Sequence, residues 1–237
     1  MPVYFHFITT ITTITTDHKC LPFHSYRTHS LHPTPTPYTH VDIEMSEAAA
    51  ISNHNDTEAT GDQILGDTRN WRLITRAEWR ARPPTSSTNF TGPAPYVILH
   101  HSYQPGVCRT EDACKAAMRS MQNYHMDTHG WPDIGYSFAV GGDGNVYEGR
   151  GYEVVGAHAP NYNSRSIGLL LIGNFMDELP PAPMLQVAQD FIKYSLEGGH
   201  LRDDYILYGH RQVRNTECPG DALYALIKEW PHWQEHN

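Results

Sequence analysis

Between residues 71 and 237 the apolar positions recur with two spacings, one of strand type and one of helix type, and glycines and prolines mark the changeovers. Tyr96–His101 is a short apolar run behind Gly92-Pro93-Ala94-Pro95 and predicts a buried strand. Asp112–His129 has helical spacing, with Ala113, Ala117, Met121, Tyr124 and Thr128 on one side and Gly130 as its stop. Tyr136–Val140 and Asn145–Glu148 read as short strands around the turn Gly141-Gly142-Asp143-Gly144. Ile167–Ile172 has no polar interruption, as a central strand buried on both faces requires. Pro181–Leu196 is a second amphipathic helix with Met184, Val187, Ala188, Phe191 and Ile192 on one stripe, ended by Gly198-Gly199. Tyr205–Tyr208 is a further strand, and Asp221–Trp230 a terminal helix.

Strands interleaved with helices predict an α/β fold: a single domain with a mixed, mostly parallel central sheet of about five strands, flanked by about three helices. In such sheets ligands gather at loops just beyond strand ends. His100 ends one predicted strand and His210 lies just past another. Parallel neighbours would put both on one edge, with Cys218 returning across the Gln212–Glu217 loop.

Residues 1–70 break the pattern. Thr9–Thr16 is a run of threonine pairs, Leu31–Tyr38 alternates proline with threonine, and eight acidic residues face three basic ones. Such a stretch buries too little apolar area to offset its ordering entropy, so a disordered tail is expected there, with residues 71–237 as the domain. No Lys or Arg precedes Lys19, so a signal-peptide pattern is not expected in the first segment, and Met45 is an alternative start. The formal charge of −9 argues against non-specific nucleic-acid binding. No apolar run approaches the ~20 residues of a membrane span.

Candidate chemistry concentrates in Gly209-His210-Arg211-Gln212-Val213-Arg214-Asn215-Thr216-Glu217-Cys218-Pro219-Gly220 and in the paired histidines of Tyr96–Ser102. Imidazole and thiolate both suit a borderline-soft ion such as zinc, and two histidines with one cysteine give three protein ligands, the count that leaves a fourth position for water or substrate. A thiol nucleophile at Cys218 beside His210 is the competing reading, and it leaves His100-His101 unexplained. Cys108 and Cys114 favour a short disulfide, and with it an oxidising compartment and secretion, over two reduced thiols. Asn55-Asp56-Thr57 and Asn89-Phe90-Thr91 are glycosylation sequons if the chain is exported.

From about Trp71 to Trp233 the chain resembles the peptidoglycan recognition proteins, which share a fold with phage-lysozyme-type N-acetylmuramoyl-L-alanine amidases. The matching stretches are Trp71–Trp79, Val97–Ser102, Gly130-Trp131-Pro132-Asp133-Ile134-Gly135-Tyr136-Ser137-Phe138, Gly149-Arg150-Gly151, Gly156-Ala157-His158-Ala159, Ser166-Ile167-Gly168 and Gly209–Gly220. The likeness is greatest to the catalytic insect members. It implies zinc held by His100, His210 and Cys218, with His101 a packed neighbour, and it matches Cys108 and Cys114 to the family's disulfide. It implies catalytic roles for Tyr136 and for Thr216, which stands where phage enzymes carry lysine. It implies substrate contacts from His125, Gly130, Trp131, Arg150, His158 and Asn163, with Gly-Trp and the arginine marking a preference for diaminopimelate-type peptides. The expected activity is zinc-dependent cleavage of the lactyl amide between N-acetylmuramic acid and L-alanine in peptidoglycan, modulating innate immunity. The alternative is a non-catalytic module that binds muropeptides and signals through protein partners, a class that typically lacks the zinc cysteine.

Overall fold

In the computed structural model, which describes residues 69–236, six strands build one sheet: β1 Leu73–Ile74, β2 Ala94–His101, β3 Phe138–Val140, β4 Val146–Glu148, β5 Ser166–Leu171 and β6 Leu201–Gly209. The expected tail, with Cys20 and the Asn55 sequon, lies almost wholly outside the described residues. Strand order is β1-β4-β3-β5-β2-β6. Only the β3–β4 hairpin is antiparallel, and every other pair is parallel. The sheet is therefore mixed and mostly parallel, as the interleaved spacing predicts, with β1 as a sixth strand. Two residues are too few to show alternation, so β1 is invisible until Leu73 and Ile74 pair with Val146 and Tyr147.

All six residues of β5 are buried, because helices cover both faces. On one side Ile167, Leu169 and Leu171 join Val97 and Leu99 of β2 in a cluster with Met184, Val187, Ala188, Phe191 and Ile192 of α2 (Ala182–Glu197). On the other, Leu170 and Ile172 meet Cys114, Ala117, Met118 and Met121 of α1 (Glu111–Asn123). Fully burying each large apolar side chain is worth roughly 1.5–3 kcal/mol, so the α2 stripe anchors one face of the sheet. Two further helices follow β6: the single turn α3 (His210–Val213) and α4 (Asp221–Ile227). That makes four α-helices among the described residues where about three were expected, because α3 is hidden inside what reads as a loop.

The buried face of α1 differs from expectation. It consists of Cys114, Ala117, Met118, Met121 and Gln122, whereas Ala113 and Thr128 are exposed. The true stripe runs i, i+3, i+4, i+7, i+8 through a disulfide cysteine and a glutamine, neither of which reads as apolar. The helix opens with Thr110 as N-cap, its Oγ1 accepting from the Ala113 N–H at 3.3 Å, and with Glu111 and Asp112 in the first turn. Cys108 is disulfide-bonded to Cys114, tying the incoming loop to that turn. After Asn123 the helix widens into a π-helical turn, Tyr124–Thr128, closed by the His129 N–H on the Tyr124 carbonyl at 3.3 Å. His125 continues the buried stripe, and the wider turn then breaks the 3.6-residue phase, so Thr128, three residues on, faces out. Gly130, at φ +68°, then reverses the chain, as expected for the stop.

β6 is longer than its predicted Tyr205–Tyr208. Its first half, Arg202-Asp203-Asp204, is exposed at the sheet edge, and charge there hides the strand. The helix expected to reach Trp230 ends at Ile227. Asn89 of the second sequon is exposed and forms an isolated bridge with Val154. Among the described residues no helix is long and apolar enough to cross a membrane.

Candidate metal centre

Parallel pairing decides which side chains meet. β2 and β6 are in register with Leu99 opposite Gly209, so His100 and His210 stand side by side at the strand ends, ring centroids 4.3 Å apart. His210 opens α3, and the loop beyond it returns Cys218. Arg211 closes that loop: its backbone N–H donates to the Cys218 carbonyl at 2.9 Å, and its guanidinium binds Asp221 at 2.6 Å and the Glu217 carbonyl. Cys218 Sγ lies 3.7 Å from His100 Nδ1 and accepts from the His101 backbone N–H at 3.4 Å. One ligand atom from each of His100, His210 and Cys218 lies within 4.8 Å of the others, and all three residues are buried.

Burial holds His100 well below the usual imidazole range, with His210, His158 and His101 adding to the effect. It pushes His210 down to about 3, helped by Arg214 and His101, and His158 to about 3, helped by His210 and Arg150. These rings are neutral near pH 7, the form that offers a lone pair to a metal. Neither ring nitrogen of His210 has a hydrogen-bond partner among the described residues. An orphaned buried polar group costs on the order of 1–3 kcal/mol, a cost that an ion between the three residues would remove. Two imidazoles and one thiolate are a donor set that fits zinc.

His101 faces away from this cluster. Its Nδ1 accepts from the Phe175 N–H at 3.2 Å, and burial, then Arg211, lowers it to about 4. It is a packed, hydrogen-bonded neighbour, as the resemblance implies. Next to His100, the Tyr136 ring stands at 5.2 Å. A row of rings continues from there through His125 (5.7 Å from Tyr136), Trp131 (4.8 Å from His125) and His129 (4.9 Å from Trp131). His125 Nδ1 accepts from the Gly135 N–H at 3.0 Å, and burial, with His129 and Arg150, lowers it to about 3. Thr216 sits beside the cysteine, its Oγ1 accepting from the Cys218 N–H at 3.3 Å.

The remaining expected contact residues are placed differently from one another. Arg150 donates from Nε to the Ile134 carbonyl at 2.6 Å and from its terminal nitrogens to Val155 at 2.7 Å and Asp133 at 3.4 Å. Burial lowers its pKa, opposed by Asp133. It therefore braces the backbone behind Trp131 as well as carrying charge. Asn163 Oδ1 accepts from the His158 and Ala159 N–H groups at 2.8 Å each, holding the loop that presents His158. Gly130 contributes backbone shape and no side chain.

Sequence reasoning missed three supports. Asp133 is buried, accepting from Gln122 and from its neighbour Ile134 at 2.7 Å each, and it pairs with Arg76 at 2.9 Å. Arg211 clamps the Cys218 loop, and Ser166 lies behind His158. Only Arg76 is remote in sequence; the nearer partners are brought in by irregular loops, and no local periodicity reveals them.

Known proteins share this fold and much of this sequence. The family described as N-acetylmuramoyl-L-alanine amidase matches residues 90–221. Peptidoglycan-recognition protein LB of Drosophila melanogaster is 52% identical over 166 residues, which is 70% of this chain and 72% of that protein. A solved structure of a Tyr-to-Phe variant of Drosophila PGRP-LB in complex with tracheal cytotoxin is 52% identical, with a TM-score of 0.68, covering 69% of this chain and 96% of that one. Peptidoglycan recognition protein-LE, solved in complex with tracheal cytotoxin (monomeric diaminopimelic acid-type peptidoglycan), is 39% identical, with a TM-score of 0.67 and the same coverage of each chain.

Proposed function

The chain belongs to the N-acetylmuramoyl-L-alanine amidase family, among its peptidoglycan-recognition proteins, and on that premise we propose that it is a zinc-dependent amidase acting on peptidoglycan. The reading is carried by the buried triad of His100, His210 and Cys218, in which neither ring nitrogen of His210 has a partner among the described residues. Zinc held there supplies a Lewis acid for the lactyl carbonyl and makes a water acidic enough to attack near neutral pH.

The protein's own groups do the rest. Tyr136, beside His100, donates its hydroxyl to the amide oxygen as negative charge develops on it. Thr216 accepts from the Cys218 N–H and so has its own hydroxyl proton to direct at the attacking water or the tetrahedral intermediate. Trp131, with His125 and Gly130, forms a wall for the stem peptide, and His158 and Asn163 line the opposite loop. Arg150 meets the extra carboxylate of meso-diaminopimelate, a charge-assisted contact that a lysine-type peptide cannot make. The proposal extends to an exported protein that dampens or shapes innate immune responses, consistent with the Cys108–Cys114 disulfide.

The test is release of stem peptide from muropeptides, with and without a chelator, by wild type and by Cys218→Ser. The expected result is chelator-sensitive release by wild type. The variant should release nothing and hold little zinc, yet still bind muropeptide. Binding without release by the zinc-loaded wild type would identify a recognition module, and release that survives chelation a thiol hydrolase. Either outcome overturns the proposal.

A further inference from the structure

We infer that Ser166 and His158 form a polarised hydrogen-bond relay that sets the tautomer of His100 and turns its Nδ1 toward the ligand cluster. The inference rests on the zinc reading of that cluster. It begins at a group whose role is fixed: the Tyr162 carbonyl can only accept. Ser166 Oγ lies 2.7 Å from it and donates to it. The Ser166 lone pairs then face His158 Nε2 at 3.5 Å. A bare Nε2 would set lone pair against lone pair, so Nε2 carries the His158 proton, although at this distance the bond is weak. His158 Nδ1 is thereby bare, and it lies 3.0 Å from His100 Nε2. His100 must donate from Nε2, which leaves its Nδ1 lone pair on the side of Cys218 Sγ, 3.7 Å away.

The surroundings hold the relay in place. Ser166 and His158 are buried, at 3% and 7% exposure. The His158 ring lies in a cradle of two glycines: a Cβ on Gly168 would come within 2.4 Å of ring atom Cδ2, and one on Gly156 within 2.5 Å of the same atom. Asn163 Oδ1 fixes the His158 backbone from the other side. A histidine ligand whose second nitrogen is fixed in this way loses less freedom on binding a metal and is held in the tautomer that the metal requires. Ser166 and His158 are therefore positioning residues. His158 acts through its hydrogen bond to His100, in addition to any contact it makes with substrate.

The first measurement uses the full chain labelled with 15N-histidine, metal-free at pH 7, and reads which ring nitrogens are protonated from long-range 1H–15N correlations. His100 and His158 should both be Nε2–H tautomers. This needs no variant and no zinc, so it separates the relay from the zinc reading, which fails only if wild type then takes up no zinc in a chelator competition. In the same competition His158→Ala should weaken zinc binding about 10- to 100-fold. His158→Asn, which places an oxygen near the Nδ1 position, should recover most of the loss. Ser166→Ala should mix the His158 tautomers and weaken zinc binding roughly two- to threefold, the low end for a neutral hydrogen bond as suits so long a contact. An Nδ1–H tautomer of His100 in wild type would overturn the inference. So would Ser166→Ala that folds with tautomers and zinc affinity unchanged.

Discussion

Arg150→Ala separates the two roles assigned to one arginine. The guanidinium makes two short, charge-assisted bonds, to Ile134 at 2.6 Å and Val155 at 2.7 Å, and a third to Asp133 at 3.4 Å that is too long to count for much. Bonds to a charged donor are worth roughly 1.5–3 kcal/mol each. Water can reach part of this half-buried site and re-solvate the carbonyls, so the low end applies, about 3 kcal/mol in all. In a domain of this size each kcal/mol moves Tm by roughly 2–4 °C, so the variant should melt about 6–12 °C lower. Loosening of the Asp133–Ile134 backbone should weaken both diaminopimelate-type and lysine-type muropeptides. The diaminopimelate type should lose at least a further tenfold, because the charged contact to its extra carboxylate also disappears. Arg150→Lys should restore part of the Tm and little of the preference, since an ammonium cannot reproduce the planar fork. Differential scanning fluorimetry and titration calorimetry with both ligands read all of this. Equal weakening of the two ligands would refute the specificity role, and an unchanged Tm would refute the bracing role.

Tyr136→Phe removes one hydroxyl and little volume, so kcat should fall roughly 10²–10³-fold while muropeptide affinity and zinc content stay the same; an unchanged kcat would assign the ring to packing alone. Replacing Cys108 and Cys114 together by serine should lower stability by about 2–3 kcal/mol, the loop-entropy value for so short a bridge, and Tm by about 4–12 °C. If peptide mapping finds both thiols alkylatable in native secreted material, the disulfide assignment fails. His125 and His158 fall to about 3 on folding from an ordinary value of 6.5. Between pH 6.5 and 3 the unfolded chain therefore binds protons that the folded one does not, and stability drops as pH falls, by about 1.4 kcal/mol per pH unit for each histidine. Urea unfolding of the metal-free protein from pH 7 to 4 should show at least that slope, since burial lowers His100, His101 and His210 as well, and His125→Asn should reduce it by one histidine's share; a slope unaffected by the substitution would contradict the burial argument.

The sequence shows most clearly what local pattern can encode. Ile167–Ile172 and Pro181–Leu196 land within a residue of β5 and α2 because burial on one stripe or on both faces leaves an unbroken apolar signal. The candidate triad of His100, His210 and Cys218 is legible for another reason: cysteine is scarce in this chain, and the segment that pairs Cys218 with His210 is bounded by glycine and proline. What stays hidden is whatever depends on partners far along the chain. β1 exists only by pairing with β4, and the charges of Arg202-Asp203-Asp204 mask half of β6. The π-helical turn that throws Thr128 off the buried stripe has no composition of its own. Ser166 reads as one more strand residue even though Tyr162 and His158 lie just before it, because the loop that folds them onto it has no periodicity.

The two margins of the sheet have a bearing on how many copies can share one surface. An open strand edge presents unpaired N–H and C=O groups and is a template for another chain. Here one margin, β1, is only two residues long, too short to seed such pairing. The other, β6, sets three charged residues along its first half. Over its second half the Leu207 N–H is already taken by the His232 carbonyl, and Leu207 bridges to Trp233. A protein drawn to a repetitive polymer such as a bacterial wall is concentrated there far above its level in solution. If the chain binds peptidoglycan as proposed, margins blunted in this way among the described residues let neighbouring copies crowd along the glycan without zipping together into strand-paired aggregates.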